Sequence, residues 1–150
     1  MTVAIGSDHA GFPLKARVVE EVRACSQYPL DVGTYSPDPV DYPDYARAVA
    51  LVLRDNPTRR GILICGTGVG ACIAANRFPG IYAAVCHDTF SARDGVEAHG
   101  LNVLCLGARV IGQELAAEIV RAYLKAEFSG LDRHVRRLAK IEQLEKDFAA

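Results

Sequence analysis

The sequence predicts an α/β fold: a parallel sheet of about five strands with helices packed on both faces. Three observations carry this. A short apolar run, a glycine-bearing turn and a helical stretch recur about five times along the 150 residues. The runs are apolar throughout instead of alternating with polar residues, the pattern of strands covered on both sides. Polar residues able to do chemistry gather in the turns that follow those runs. A chain of this length forms one domain, residues 1–150, and buries roughly 70% of its unfolded surface without disulfides or metal.

The elements follow in order. Val3-Ala4-Ile5 is the first strand and runs into Gly6-Ser7-Asp8-His9-Ala10-Gly11. Pro13 suits a first helical turn, where its missing N–H has no intrahelical partner to lose, and Leu14, Val18 and Val22 then share one helix face. Leu30-Asp31-Val32 is a weak second strand, followed by a loop over 33–39 with two prolines and a glycine. Asp41-Tyr42-Pro43 opens the second helix, with Tyr45, Val49 and Val52 on one stripe, and Asn56-Pro57 closes it. Gly61-Ile62-Leu63-Ile64 is the clearest strand; it leads into Cys65-Gly66-Thr67-Gly68-Val69-Gly70 and a short alanine-rich helix to Asn76. A fourth strand over 82–85, a polar helix over 89–98 and a fifth strand over 103–106 come next. A helix over 112–126 carries Leu115, Ile119 and Tyr123 at steps of four. A last helix from about Arg133 carries Leu138, Ile141, Leu144 and Phe148.

Composition narrows the function classes. Seventeen basic and eighteen acidic residues give a net charge of -1, so no global field favours nucleic acid or an anionic membrane. Half the chain is apolar and 23% is charged, which excludes disorder by composition. No apolar run approaches the roughly 18 residues that span a bilayer, and no basic segment precedes an apolar core at Met1. The expectation is a soluble, cytoplasmic protein with neither a membrane nor a nucleic-acid partner. The cysteines at 25, 65, 72, 86 and 105 are odd in number and never spaced as CxxC, which points to neither a disulfide framework nor a zinc site.

In doubly covered parallel sheets ligands bind beyond the carboxyl ends of the strands. That rule selects the loops after Ile5, Ile64, Val85 and Leu106, which hold Asp8, His9, Cys65, Thr67, His87 and Arg109. The three glycines within residues 66–70 let backbone N–H groups converge on an anion or a developing oxyanion, and the helix that follows adds its positive end. The same run also reads as a plain strand-to-helix turn. It is not a nucleotide phosphate loop, because no Lys-Ser/Thr pair follows, and it is a poor dinucleotide fingerprint. Cys65, at a strand end beside a helix N-terminus, reads either as a bystander or as a thiolate base or nucleophile. Asp8 reads as a helix cap or a hydroxyl ligand, and His9 as a surface residue or a phosphate or hydroxyl contact. Arg133 and Arg137, four apart, share one helix face, which suits a terminal phosphate or a solvated surface. His87 reads as structural or as part of the rim.

Taken together, these residues resemble the ribose-5-phosphate isomerase B family, which includes the galactose- and allose-6-phosphate isomerases. The resemblance runs from Gly6-Ser7-Asp8-His9-Ala10-Gly11-Phe12 through Asp41-Tyr42-Pro43, the 61–70 segment and Ala74-Ala75-Asn76 to Asn102-Val103-Leu104, Gly107-Ala108-Arg109 and Arg133-His134…Arg137. It implies a Rossmann-like three-layer sandwich with a five-stranded parallel sheet and a C-terminal helix reaching a partner subunit. It also implies a homodimer or dimer of dimers with shared active sites, and aldose–ketose isomerisation of a sugar phosphate without metal or cofactor. By position, Cys65 corresponds to the base between C1 and C2. Thr67 with the amides of Gly66, Gly68, Val69 and Gly70 corresponds to the enediolate cradle. Asp8 and His9 correspond to substrate contacts, and Arg109, Arg133 and Arg137 to phosphate ligands.

One departure stands out. The family commonly has His-Asn-Asp-x-Asn before the fifth strand, and its histidine helps open the sugar ring; here the stretch is Ala98-His99-Gly100-Leu101-Asn102. Either His99 acts from one position along, or another group opens the ring, or opening is not needed. A tetrose 4-phosphate cannot close a furanose ring, because its O4 is esterified. The leading expectation is interconversion of D-ribose 5-phosphate and D-ribulose 5-phosphate. The alternatives are the same chemistry on a tetrose or hexose phosphate, a non-catalytic phosphosugar-binding module, and a Cys–His hydrolase built on Cys65 and Asp8-His9.

Overall fold

The computed structural model describes residues 1–149. The chain runs β1 (Thr2–Ser7), α1 (Phe12–Ala24), β2 (Tyr28–Asp31), α2 (Tyr42–Asp55), β3 (Arg60–Cys65), α3 (Val69–Ala75), β4 (Ala83–Val85), α4 (Thr89–His99), β5 (Val103–Gly107), α5 (Gln113–Lys125) and α6 (Asp132–Asp147). The five strands form one sheet in the order β2-β1-β3-β5-β4, and every neighbouring pair is parallel.

The unbroken apolar runs explain the layers. Successive strand side chains point to opposite faces, so a run such as Val3-Ala4-Ile5 needs cover on both. Val3, Ile5, Ile62 and Leu104 pack with α1, α4 and α5. Ala4, Leu63, Val103 and Cys105 pack with α2 and α3. Tyr123, wholly buried on α5, donates its hydroxyl hydrogen to the Gly61 carbonyl at 3.1 Å, which satisfies the one polar atom it brings into the core. The edge strand β4 is short because side chains occupy its margins. Asn76 pairs with both the N–H and the carbonyl of Ala83, and Asn102 Oδ1 takes the Tyr82 N–H.

Several local expectations shift. β2 begins two residues before Leu30 and is only half-buried. The buried stripe of α2 is Ala46, Val49, Ala50 and Leu53; Tyr45 and Val52 lie at its margin. Leu115 is exposed, because α5 packs through Ala116, Ile119, Val120 and Tyr123. On α6 no residue is buried: Leu138 lies against Gly100 at the end of α4, Ile141 borders a groove beside α4, and Leu144 and, just past the helix, Phe148 are exposed.

The topology fixes where chemistry can occur. After β1 the chain leaves to the α1 face, and after the adjacent β3 it leaves to the α3 face. The loops diverge there and open a crevice beyond the carboxyl ends of β1 and β3.

Candidate active site

The crevice is a cleft of about 300 Å³ lined by Asp8, His9, Ala10, Tyr42, Cys65, Gly66, Thr67, Gly70 and Arg109. Its first wall is the β1–α1 turn. The Asp8 N–H donates to the Ile64 carbonyl at 3.2 Å, and Asp8 Oδ1 accepts the Gly11 N–H at 2.9 Å. The capping and site readings of Asp8 are therefore compatible: one oxygen closes the turn while the residue lines the cleft. Gly11 makes this possible, since a Cβ there would lie 2.1 Å from the Ile64 carbonyl oxygen. His9 Nδ1 sits 3.1 Å from both the N–H and the carbonyl of Val40, which fixes the ring; among the described residues Nε2 has no hydrogen-bond partner.

The second wall is the glycine loop. Cys65 is 4% exposed, and its Sγ accepts the Gly68 N–H at 3.1 Å. Gly68 has φ +83°, a left-handed conformation that a side chain would strain, and it packs against Val85 and the Leu106–Gly107 backbone. Thr67 Oγ1 accepts the Val69 N–H at 3.3 Å. Two of the four amides expected in the cradle, those of Gly68 and Val69, thus point at the loop's own sulfur and hydroxyl. The Val69 side chain is 52% exposed and does not line the cleft.

The third wall is the loop after β5. The N–H groups of Ala108 and Arg109 donate to the carbonyls of Cys65 and Gly66. They hold Arg109 beside Gly66, its guanidinium exposed at the rim. The Gly107 N–H donates to His87 Nε2 at 2.9 Å. His87 is therefore a structural tie, and burial lowers its pKa below the ordinary value, which keeps the accepting nitrogen unprotonated.

Tyr42 is the site residue that sequence reasoning missed. Its ring packs on Gly70, where a Cβ would lie 2.7 Å from Cζ. The available signal was a tyrosine one position before the proline of a helix start, facing a glycine run.

His99, Arg133 and Arg137 are not in this cleft. α4 starts at the carboxyl end of β4 and ends at the amino end of β5, so His99 lies at the opposite edge of the sheet from Cys65. There the Ser129 N–H donates to the Glu97 carbonyl, and Ser129 Oγ is 2.5 Å from His134 Nδ1. Desolvation first, then the charges of Arg133, Arg137 and His99, lower the pKa of His134, while Asp94 raises it. His99 Nε2 is 3.8 Å from Asp94 Oδ2, and both residues line a groove of about 430 Å³ with Tyr82, Phe90 and Ile141. That groove is larger than the cleft but largely apolar, and holds none of the residues at the carboxyl ends of β1 and β3.

The cleft brings together a buried sulfur, a hydroxyl, backbone donors, a carboxylate, an imidazole and a guanidinium, a set suited to proton transfer beside a carbonyl. The family model described as Ribose/Galactose Isomerase matches residues 3–141. The chain belongs to this ribose/galactose isomerase family. Ribose-5-phosphate isomerase B of Escherichia coli K12 is 44% identical over 144 residues, 96% of each chain. D-erythrulose-4-phosphate isomerase of Pectobacterium atrosepticum is 46% identical over 134 residues, 87% of this chain and 86% of that one. The structure of Clostridium thermocellum ribose-5-phosphate isomerase B superposes with a TM-score of 0.94 at 44% identity, covering 99% of this chain and 100% of that one. The family expected from the motifs is the family found, and the five-stranded α/β sandwich of this ribose/galactose isomerase family member is the fold that resemblance implied.

Proposed function

We propose that the chain is an aldose–ketose isomerase of sugar phosphates that interconverts D-ribose 5-phosphate and D-ribulose 5-phosphate, with Cys65 as the base. The observation that carries this is Cys65 Sγ at the end of β3, 3.1 Å from the Gly68 N–H, in one cleft with Asp8, His9, Thr67 and Arg109. Family membership and the name of the Escherichia coli relative support it. The thiolate takes the proton from C2 of the open aldose and returns it to C1. Negative charge then develops on the substrate oxygens, facing Thr67 Oγ1 and the remaining loop amides; one such donor is worth about 3 kcal/mol of transition-state stabilisation. Asp8 and His9 hold hydroxyls, and Arg109 begins the phosphate site.

Arg133, Arg137 and His99 complete that site from a second subunit, in a homodimer or dimer of dimers. The support is their position: all three lie toward the sheet edge opposite Cys65, His99 at the end of α4 and Arg133 and Arg137 on α6, a helix with no buried residue. The five free cysteines suit a reducing cytoplasm.

A second reading is favoured by Ala98. With no histidine at the usual ring-opening position, a tetrose phosphate, which has no furanose to open, is the alternative substrate; a 46%-identical relative bears the name of a tetrose phosphate isomerase. A side-by-side turnover panel of four-, five- and six-carbon sugar phosphates tests both. Preference for ribose 5-phosphate supports the first reading and preference for a tetrose phosphate the second. Binding with no turnover and no solvent deuterium entering C1 or C2 leaves only a phosphosugar-binding module.

A further inference from the structure

We propose that Lys15 is a positioning residue for the isomerisation: its ammonium fastens the segment after β2, and that segment holds Asp8 and His9 in the cleft from two sides. The effect on rate rests on the isomerase reading; the bracing does not.

Lys15 lies on α1 beside the apolar stripe of Leu14, Val18 and Val22, and is only 4% exposed. Its Nζ donates to Asp31 Oδ1 at 2.9 Å and to the Thr34 carbonyl. The rings of Phe12 and Tyr35 have their centres 5.5 and 5.0 Å from the same nitrogen, within reach of a cation–π contact. Asp31, Thr34 and Tyr35 all belong to the end of β2 and the loop that follows it.

Burying an ammonium is costly, and a buried ion pair adds little stability over an apolar side chain of similar volume. Methionine would fill the same place on α1. What the charge supplies, and methionine cannot, is direction. It binds two acceptors on a segment that is neither helix nor strand over 32–41. Asp31 Oδ1 also accepts the Gly33 N–H at 2.9 Å, and the Tyr35 hydroxyl donates to the Asp31 carbonyl at 3.1 Å. The start of the segment is therefore folded around Lys15.

That segment meets the cleft at two points. At the first, the Ser7 N–H donates to the Gly33 carbonyl and the Thr34 N–H to the Ser7 carbonyl, each at 2.8 Å. Ser7 directly precedes Asp8, and Thr34 is the buried residue whose carbonyl Lys15 holds. At the second, the N–H and the carbonyl of Val40 both lie 3.1 Å from His9 Nδ1. Two residues further on, Tyr42 lines the cleft itself. Without the ammonium the Thr34 carbonyl loses a buried partner and the Asp31–Gly33 turn loses its anchor. The segment can then draw away from β1 and take Val40 with it. A shift of about 1 Å in groups that orient a substrate can cost roughly a hundredfold in rate.

The test compares Lys15→Met and Asp31→Ala with Tyr123→Phe, a core change on α5. Asp31 is the half-exposed end of the pair, so its loss leaves the core packing intact and answers the question should Lys15→Met not fold. One readout is the pair of nitrogen-15 signals of the His9 ring at about pH 8.5, assigned by their absence from His9→Gln. The other is kcat and KM on the best substrate of the sugar phosphate panel. In the wild type we expect one protonated and one bare ring nitrogen; in both variants the two signals move toward those of a free imidazole exchanging its tautomers. We expect kcat to fall about tenfold in Lys15→Met and about threefold in Asp31→Ala, with KM changing less, because the phosphate contacts are untouched. Tyr123→Phe loses stability and keeps wild-type ring signals and kcat. Wild-type ring signals in either folded variant overturn the proposal, as do altered signals with kcat unchanged. Should the wild type turn over no sugar phosphate, the isomerase reading falls, and the ring signals alone decide whether Lys15 braces His9.

Discussion

Gly107 lies against Thr67 so closely that a Cβ on it would fall 2.6 Å from the Thr67 carbonyl carbon. Backbone cannot swing aside as a side-chain tip can, so Gly107→Ala must displace Thr67 and with it the wall of the cleft. We expect kcat to fall about tenfold or more while the far-ultraviolet circular dichroism stays native. Unchanged kcat in a folded variant would mean that Thr67 has no exacting position.

The same Gly107 N–H is held by His87 Nε2, and burial lowers the His87 pKa. The unfolded chain therefore binds more protons than the folded one between the lowered pKa and the ordinary value near 6.5. This contribution to stability is complete above about 6.5 and is lost as pH falls below it. Urea midpoints at about pH 7.5 and about pH 5.5 should show a smaller loss for His87→Gln than for the wild type. Equal losses would remove His87 from the account.

Tyr123→Phe deletes the buried hydroxyl that donates to the Gly61 carbonyl. The ring stays and packing is kept, so the expected cost is about 1–2 kcal/mol by urea denaturation. A neutral change would show that the Gly61 carbonyl is satisfied without it.

A site shared between subunits has a distinctive genetic signature. If the site is shared as proposed, Cys65→Ala and Arg137→Ala should each be nearly inactive, because each removes one residue from every site of its own dimer. Unfolded together and refolded as mixed dimers, they should recover about a quarter of wild-type activity, since half the dimers carry one intact site. No recovery would place the whole site in one chain and leave Arg137 a surface cation.

The legible parts of the fold were those with a single physical demand. β1, β3 and β5 read clearly because each is apolar throughout and buried on both faces. β2 slipped by two residues because an edge strand with Tyr28 and Pro29 at its start carries no apolar pattern. Leu115 matched a helical period yet faces out, since smaller alanines at 116 and 117 let α5 approach the sheet. Asp8, His9, Cys65, Thr67 and Arg109 were legible because one topological rule gathers them. Tyr42 was not, because it enters across the crevice from the start of α2. Arg133 and Arg137 were singled out by their spacing and motif and His99 by standing one position from the usual histidine, but their distance from Cys65 follows only from where α4 and α5 end.

The account rests on sulfur at position 65 moving the proton. The most direct measurement is kcat/KM of Cys65→Ser on the best substrate of the sugar phosphate panel, beside the wild type. A general base contributes about 100- to 10,000-fold, so the predicted loss is about a thousandfold in a chain that still folds and binds. Turnover within about threefold of the wild type would contradict it, because a serine hydroxyl at this place has no thiolate to offer.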